Sequence, residues 1–201
     1  MRKANRTRPQ ITLEGVNFIF RPNFQGREEL YNAAGRRNFC IRLSEDQAAE
    51  LDAQDYNVKL TKGNPDYDQE PEAYLKVSMA FTDRSQPNVY ILTPRGFDEN
   101  GEETYYKTKL DAETAMLVDY MRVREVDVTI RPWKHGRVAN RPELNAAYLQ
   151  TIFIYQDLDE LEQKYIDVPE APRDEQKTIG YDSADTTEIV EDYEHPTFDV
   201  I

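Results

Sequence analysis

Apolar residues alternate with polar ones in several short stretches of the chain, a period of two that is typical of strands with one buried face. The clearest stretch is 73–81, in which every second residue from Ala73 to Phe81 is apolar. In 125–131 the residues Val126, Val128 and Ile130 repeat the pattern and are expected to point inward. Similar patterns predict further strands at 11–20, 37–43, 58–60, 88–93 and 147–155.

The first two predicted strands are apolar on one face each. Val16, Phe18 and Phe20 would share a face of the strand at 11–20. In the strand at 37–43, Phe39 alternates with polar residues, so it is expected in the core rather than in a binding site.

Three segments are expected to be helical. Ser44 and Gln47 form a capping-box pattern, which predicts a helix to about residue 53. Asp111 is a plausible cap for a second helix to about residue 121, and 156–168 has apolar residues at a helical spacing. The polar, turn-rich stretches 63–72 and 94–109 are predicted to be loops.

This order of elements predicts a mainly β protein with an OB-fold-like five-stranded barrel, inserted short helices and strands, and a tail. An OB-fold binds oligonucleotides on strands 2 and 3 and on the loops that join strands 1–2 and 4–5. The segments 21–36 and 132–146 fall at those two loops. We therefore expect residues 11–168 to form one domain.

The same two segments combine positive charge with aromatic rings. Single-stranded nucleic acid needs cations for its phosphates and flat rings for its unstacked bases. We expect the two loops to share one electropositive, aromatic surface. Its candidate residues are Arg21, Phe24, Arg27, Tyr31, Arg36 and Arg37 in the first segment and Arg131, Trp133, Lys134 and Arg137 in the second.

Several candidates have a structural alternative. Loop aromatics often plug the end of a barrel, which applies to Phe24, Tyr31 and Trp133. Tyr74 and Lys76 lie on the polar side of a strand and are further candidates, but an ordinary solvated sheet face would have the same pattern. His135 is more typical of a polar loop than of a catalytic residue.

The net charge of -13 is unevenly distributed. Residues 156–201 contain 3 basic and 15 acidic residues, a net of -12, so the rest of the chain is nearly neutral. Residues 1–42 contain 9 basic and 3 acidic residues. Residues 1–10 are then either a basic flexible arm or a solubilising end.

The acidic, Pro-containing composition of 169–201 predicts a disordered tail. A tethered polyanion would compete with nucleic acid for a basic groove, giving autoregulation. Its terminal hydrophobic residues would alternatively recruit partner proteins, and a purely solubilising role is also open. The partner-binding candidates are Tyr193, Phe198 and Ile201.

No catalytic or metal site is expected. Cys40 is the single cysteine and there are two histidines, too few for a typical zinc site. No nucleophile–base pair or phosphate loop is present, so we expect neither enzymatic activity nor a cofactor. No apolar run is long enough for a membrane span, which suggests a soluble cytoplasmic protein without a membrane partner.

The stretches FQGREELYNAAGRRNFCIRL, VDVTIRPWKHGRV and NAAYLQTIFIYQDLDELEQKY resemble the single-stranded DNA-binding proteins of tailed bacteriophages, notably those of Actinobacteria. The similarity extends over about residues 11–168. It implies an OB-fold, a role in phage DNA replication, recombination or repair, and the host cytoplasm as location. The second loop is longer and more basic than the family pattern, and the chain lacks the Pro-Phe end of bacterial single-strand binding proteins. The matching motifs are Gly26-Arg27-Glu28, Tyr31-Asn32, Arg37-Asn38-Phe39, Ile130–Trp133 and Ala147-Tyr148-Leu149.

The leading hypothesis is sequence-tolerant binding of single-stranded DNA, with replication or recombination proteins as partners through the tail. Two alternatives stay open: an RNA-binding OB protein, and an adaptor or virion protein that acts through the acidic tail.

Overall fold

A computed structural model describes residues 10–166 apart from 31, 64–69, 83–85, 134–140 and 142. The predicted basic arm, the acidic tail, most of the loop at 63–72 and much of the second basic loop lie outside the described residues.

Eight strands, two α-helices and a 3-10 helix make up the described chain. The helices are α1 Glu45–Ala53, α2 Glu160–Tyr165 and the 3-10 helix Thr114–Tyr120. The strands are β1 Ile11–Val16, β2 Arg37–Arg42, β3 Val58–Leu60, β4 Ala73–Met79, β5 Asn88–Phe97, β6 Glu103–Leu110, β7 Val123–Trp133 and β8 Ala146–Gln156.

Five of the strands form the predicted OB-type barrel. Their order is β1-β7-β8-β4-β2, with β4 and β8 parallel and the other neighbours antiparallel. The chain beyond β1 then pairs with β2 through the bridges Phe18–Ile41 and Asn23–Asn38, which closes the barrel. The prediction of a mainly β, OB-fold-like barrel is therefore confirmed.

The core fills the barrel with the inward residues that the alternation predicted. Val126, Val128 and Ile130 of β7 are all at most 1% exposed. In β4 the buried residues are Leu75, Val77 and Met79, and Phe39 of β2 is also buried, as expected. Burying such side chains contributes about 1.5–3 kcal/mol each, so the barrel interior supplies most of the driving force for folding.

The first strand is shorter than predicted because it bulges. Gly15 adopts φ 62, and the pairing with β7 shifts register between Leu13 and Val16. The chain therefore leaves β7 at Val16 and turns to β2. Phe20, expected to share a face with Val16, is instead 49% exposed.

The first and the last of the three predicted helices are confirmed, and the middle one is confirmed only in part. Ser44 and Gln47 form both hydrogen bonds of the capping box of α1, and Asp159 caps α2. Between them lies a 3-10 helix rather than an α-helix. Asp111 caps the turn before it by accepting from the backbone N–H of Glu113 and Thr114.

The prediction of a loop at 94–109 is wrong. The strand β5 continues to Phe97, and β6 pairs with it from Glu103 to Leu110 as an antiparallel hairpin. Asp98 and Gly101 form the turn: the Asp98 carboxylate accepts from the N–H of Glu102, and Gly101 has φ 81. Residues 106–109 of β6 are exposed on both faces, so this part of the sequence has no buried apolar face to indicate a strand.

Strands β4 and β5 line the same edge of β8. The other edge of β8 is paired with β7 over its whole length. Both β4 and β5 are parallel to β8, at Ala147–Tyr148 and at Thr151–Tyr155 respectively. The hairpin β5–β6 is thus an extension of the barrel wall beyond β4.

Candidate nucleic-acid interface

The outward residues of β2, β4, β7 and β8 form one continuous surface, called the outer face below. In β4 the buried residues alternate with Tyr74, Lys76 and Ser78, which therefore point outward. Pairing with β2 sets Cys40 opposite Lys76 and Asn38 opposite Ser78.

One row of outward residues crosses the whole face. Arg131 of β7 lies opposite Tyr148 of β8, Tyr148 lies opposite Ser78 of β4, and Ser78 lies opposite Asn38 of β2. The flanking Ile130 and Leu149 are buried, so Arg131 and Tyr148 point away from the core. The row joins a cation, a ring and two neutral polar groups.

Trp133 lies next to this row at the end of β7. It was expected in the second loop, but it is the last residue of the strand and pairs with Ala146. Pro132 is compatible with a strand here because the pairing of β7 with β1 ends at Ile130. The Trp133 ring lies 5.5 Å from the Tyr148 ring with a tilt of 41°.

Further along β4 from this row, two residues beyond Lys76, Phe20 and Tyr74 form a second aromatic pair. Their ring centroids are 5.3 Å apart at 85°, an edge-to-face geometry. Burial raises the pKa of the Tyr74 hydroxyl, with a smaller contribution from Cys40. Tyr74 is therefore neutral at physiological pH and presents no negative charge to a phosphate.

Three cations surround this second pair. Lys59 of β3 lies opposite Tyr74, and Lys76 lies two residues along β4. Burial raises the pKa of the Cys40 thiol, while the nearby Lys76 and Lys59 oppose that shift. Arg42 lies opposite Tyr74 on β2 and forms an ion pair with Glu72 at 3.3 Å.

The first basic loop is tied to the 3-10 helix by a buried carboxylate. The side chain of Asp119 is fully buried and accepts from the N–H of Phe24 at 2.7 Å and of Gln25 at 3.0 Å. The loop also closes on itself, since the N–H of Gly35 donates to Gly26 O at 2.8 Å. These hydrogen bonds hold the described part of the first loop against the barrel.

Two loop arginines lie over the ring of Tyr120. The guanidinium carbons of Arg21 and Arg27 are each 5.7 Å from its centroid. Arg27 Nη2 is 3.6 Å from Asp119 Oδ2, and within the described chain neither Nε nor Nη2 of Arg27 forms a hydrogen bond. Both atoms are buried from solvent, and this part of Arg27 lies against Asp119.

The other two loop arginines differ in their surroundings. Arg37 donates from Nη1 to Ala112 O at 2.6 Å and lies over the Phe81 ring at 4.9 Å. It is half-buried and has a structural role. Arg36 is exposed at the loop end.

The prediction that Phe24 contacts a base is wrong. Phe24 is fully buried and stacks on Phe39, with centroids 5.4 Å apart and planes within 5°. It plugs the end of the barrel, so neither face of its ring is open to a ligand.

The remaining predicted residues lie outside the described part of the chain: Tyr31, Lys134, Arg137, His135 and the tail residues Tyr193, Phe198 and Ile201.

The two basic segments approach the outer face from different ends. The first ends at Arg37, which lies opposite Met79 at the end of β4. The second starts after Trp133, whose partner Ala146 is one residue before the Val77–Ala147 pair. Measured along the strands, the positions of Arg37 and Trp133 are about 10 Å apart. Tyr74, Lys76, Arg131 and Trp133 are thus brought together, with Arg21 and Arg27 in a separate cluster at the 3-10 helix.

Sequence reasoning missed four residues of these clusters. Tyr148 and Phe20 were assigned to strands without a binding role, and Tyr120 to a helix. Lys59 lies in a strand of three residues. Only the strand register shows which side of the sheet each side chain occupies.

Among the described residues, no group of three His, Cys, Asp or Glu side chains is placed to hold a metal ion. None of the described helices is long and apolar enough to cross a membrane.

Comparison with known proteins adds a family. The family model of a phage ssDNA-binding domain matches residues 1–196. No curated protein matches the chain. Among solved structures, the chain is similar to the single-stranded DNA-binding protein from bacteriophage Enc34, C-terminal truncation. The identity is 13%, the match covers 75% of this chain and 87% of that one, and the TM-score is 0.40.

Proposed function

Because the chain belongs to the phage ssDNA-binding domain family, we propose that it binds single-stranded DNA across the outer face without strong sequence preference. The family is non-enzymatic, in agreement with the sequence. The observation that carries the proposal is the row from Arg131 through Tyr148 to Ser78 and Asn38. It joins a phosphate-binding cation to a ring that bases can stack on.

In this proposal the rings and the cations have separate tasks. Trp133, Tyr148 and Tyr74 stack on bases, which every base permits because each has a π-face. Lys76, Lys59 and Arg131 neutralise phosphates. The outward polar groups Ser78 and Asn38 are too few to distinguish base edges along a whole strand, so the binding tolerates different sequences.

The cluster of Arg21 and Arg27 on Tyr120 would hold the strand where it leaves the outer face. The exposed side chain of Arg21, which lies over the Tyr120 ring, supports this role. Arg36 is exposed beside it and would add long-range attraction. Arg37 would act indirectly, by holding the start of β2 against Ala112.

The experiment is a salt series with single-stranded DNA, double-stranded DNA and RNA of equal length. Binding that neutralises phosphates should weaken linearly in log Kobs against log[salt], with a slope of about -0.7 per phosphate contact on a single strand. Lys76→Gln should reduce that slope by about 0.7. Arg122→Gln, an exposed arginine paired with Glu162, is the matched control and should leave it unchanged.

The alternatives give different outcomes in the same series. Equal or tighter binding of RNA would favour an RNA-binding protein. Absence of binding to any nucleic acid would favour an adaptor or virion protein and would contradict the proposal.

We also propose that the protein acts in phage DNA replication, recombination or repair, the processes that expose single strands. The acidic segment 169–201 would compete with DNA for the outer face or recruit partners through Tyr193, Phe198 and Ile201. Its composition supports this: most of the net charge of -13 lies there. Deleting 169–201 should tighten DNA binding at low salt, and unchanged affinity would contradict the competition.

A further inference from the structure

We infer that the hairpin β5–β6 carries a second single-strand contact, which extends the DNA path beyond the OB barrel. This inference rests on the proposed function of the outer face. Its centre is Tyr90 of β5, stacked on Phe153 of β8 with centroids 5.1 Å apart and planes within 12°.

The two rings are on the outside of the barrel wall. Tyr90 and Phe153 are partners in the parallel pairing of β5 with β8. Val89, Ile152 and Ile154 beside them are fully buried, so the two rings point the opposite way. Both rings are only partly buried.

Two exposed lysines of β6 lie over this aromatic pair. Lys109 is the cross-strand partner of Tyr90, and Lys107 is the partner of Leu92. Their ammonium groups are 6.0 and 5.2 Å from the Tyr90 centroid. Neither forms an ion pair with any described residue, so both charges are available to phosphates.

The pair is continuous with the outer face along β8. Tyr148 and Phe153 both point outward on that strand, five residues or about 17 Å apart. Two residues five positions apart on a regular strand point to opposite faces. Here the register with β7 shifts between Thr129 and Ile130, so Gln150 has no partner on β7. This extra residue returns Phe153 to the outward direction.

A cleft lies between the hairpin and the chain that follows β4. It has a volume of about 530 Å3, and its lining includes Phe81, Lys109 and Asp111. The Arg37 guanidinium covers the Phe81 ring. Lys109 thus borders both the Tyr90 ring and the cleft that Phe81 lines.

The charge around the pair sets the direction of the path. On the β7 side Phe153 is next to Asp127, whose carboxylate accepts from Tyr155 and from the N–H of Gly15. An acidic group would repel phosphates there. The strand is therefore expected to pass over the lysine side, from Tyr148 to Tyr90 and onto β6.

The experiment compares oligo-dT of about 8 and about 20 nucleotides, within and beyond the site size of one OB-fold. The double variant Lys107→Gln/Lys109→Gln should bind the short oligonucleotide as the wild type does. For the long one, its affinity should be roughly ten-fold lower at low salt and its salt slope smaller by about 1.4. Arg95→Gln, in the same hairpin but over Tyr106, is the control and should change neither.

Hydrogen exchange gives a local measurement. The long oligonucleotide should slow exchange in 103–110, and the short one should not. Unchanged long-strand affinity in the double variant, or equal effects on both lengths, would overturn the inference while leaving the outer face intact. Failure of the wild type to bind either length would overturn the proposed function too.

Discussion

Trp133 and Tyr148 lie on neighbouring strands with their ring centroids 5.5 Å apart and their planes tilted by 41°. The pair is adjacent to Arg131, which is the cross-strand partner of Tyr148. A cation beside two partly exposed rings is the combination that single-stranded DNA requires.

Trp133→Ala should weaken binding to oligo-dT by about 1–3 kcal/mol, the contribution of stacking on one base. Because Trp133 is the single tryptophan, its emission in the wild type should be quenched as DNA is added. Trp133→Phe keeps a ring and should retain most of the affinity. Full affinity of the alanine variant would remove Trp133 from the binding site.

Tyr148→Ala should also weaken binding by about 1–3 kcal/mol, since a second stacking surface is lost. The matched control is Tyr106→Ala, a tyrosine that is 43% exposed on the hairpin but covered by Arg95. Fluorescence anisotropy with labelled DNA measures both. Equal losses in the two variants would indicate a general surface effect.

Asp119→Asn should destabilise the protein by about 1–3 kcal/mol, because one of two buried backbone N–H groups loses its carboxylate acceptor. The first loop should detach from the 3-10 helix. Chemical denaturation measures the change, and Glu113→Gln, an exposed acid beside the same helix, is the control. A stability equal to wild type would mean that the loop is held by other contacts.

Stability should fall in strong alkali. Burial, and then the hydrogen bond to Asp127, raise the pKa of Tyr155 to about 12 from the model-compound value of 10.0. The folded state therefore favours the neutral phenol. The stability that this phenol contributes is fully present below pH 10 and is lost between pH 10 and 12. Denaturation midpoints across this window measure it.

Tyr155→Phe should remove part of that loss of stability at alkaline pH. The part that remains belongs to other groups whose pKa is raised, among them Tyr56, whose pKa burial raises to about 12. Tyr74, Tyr105 and Cys40 also have raised pKa values. An unchanged pH profile in the phenylalanine variant would assign the whole effect to other groups.

The barrel was predictable from the sequence because its inward residues alternate strictly. Val126, Val128 and Ile130 repeat every second position, as do Leu75 and Val77, and burial of one face imposes that period. The capping box at Ser44 also has a local signature. These features need no knowledge of distant neighbours.

The hairpin and half of the interface were not predictable in this way. Residues 106–109 of β6 are exposed on both faces, so no burial pattern distinguishes them from a loop. Tyr148 and Phe24 are both aromatic residues whose local sequence is compatible with a binding role or with a place in the core. Only the pairing across the barrel places Tyr148 on the outside and Phe24 in the core. Tertiary packing, and not the local sequence, determines these locations.

The most direct test of the central claim is to follow backbone amide chemical shifts while oligo-dT is added to the full chain. The largest changes should cluster at Tyr74, Lys76, Arg131, Trp133 and Tyr148, with little change in α1. Changes concentrated on α1 or elsewhere away from the outer face, with these five residues unaffected, would contradict the claim.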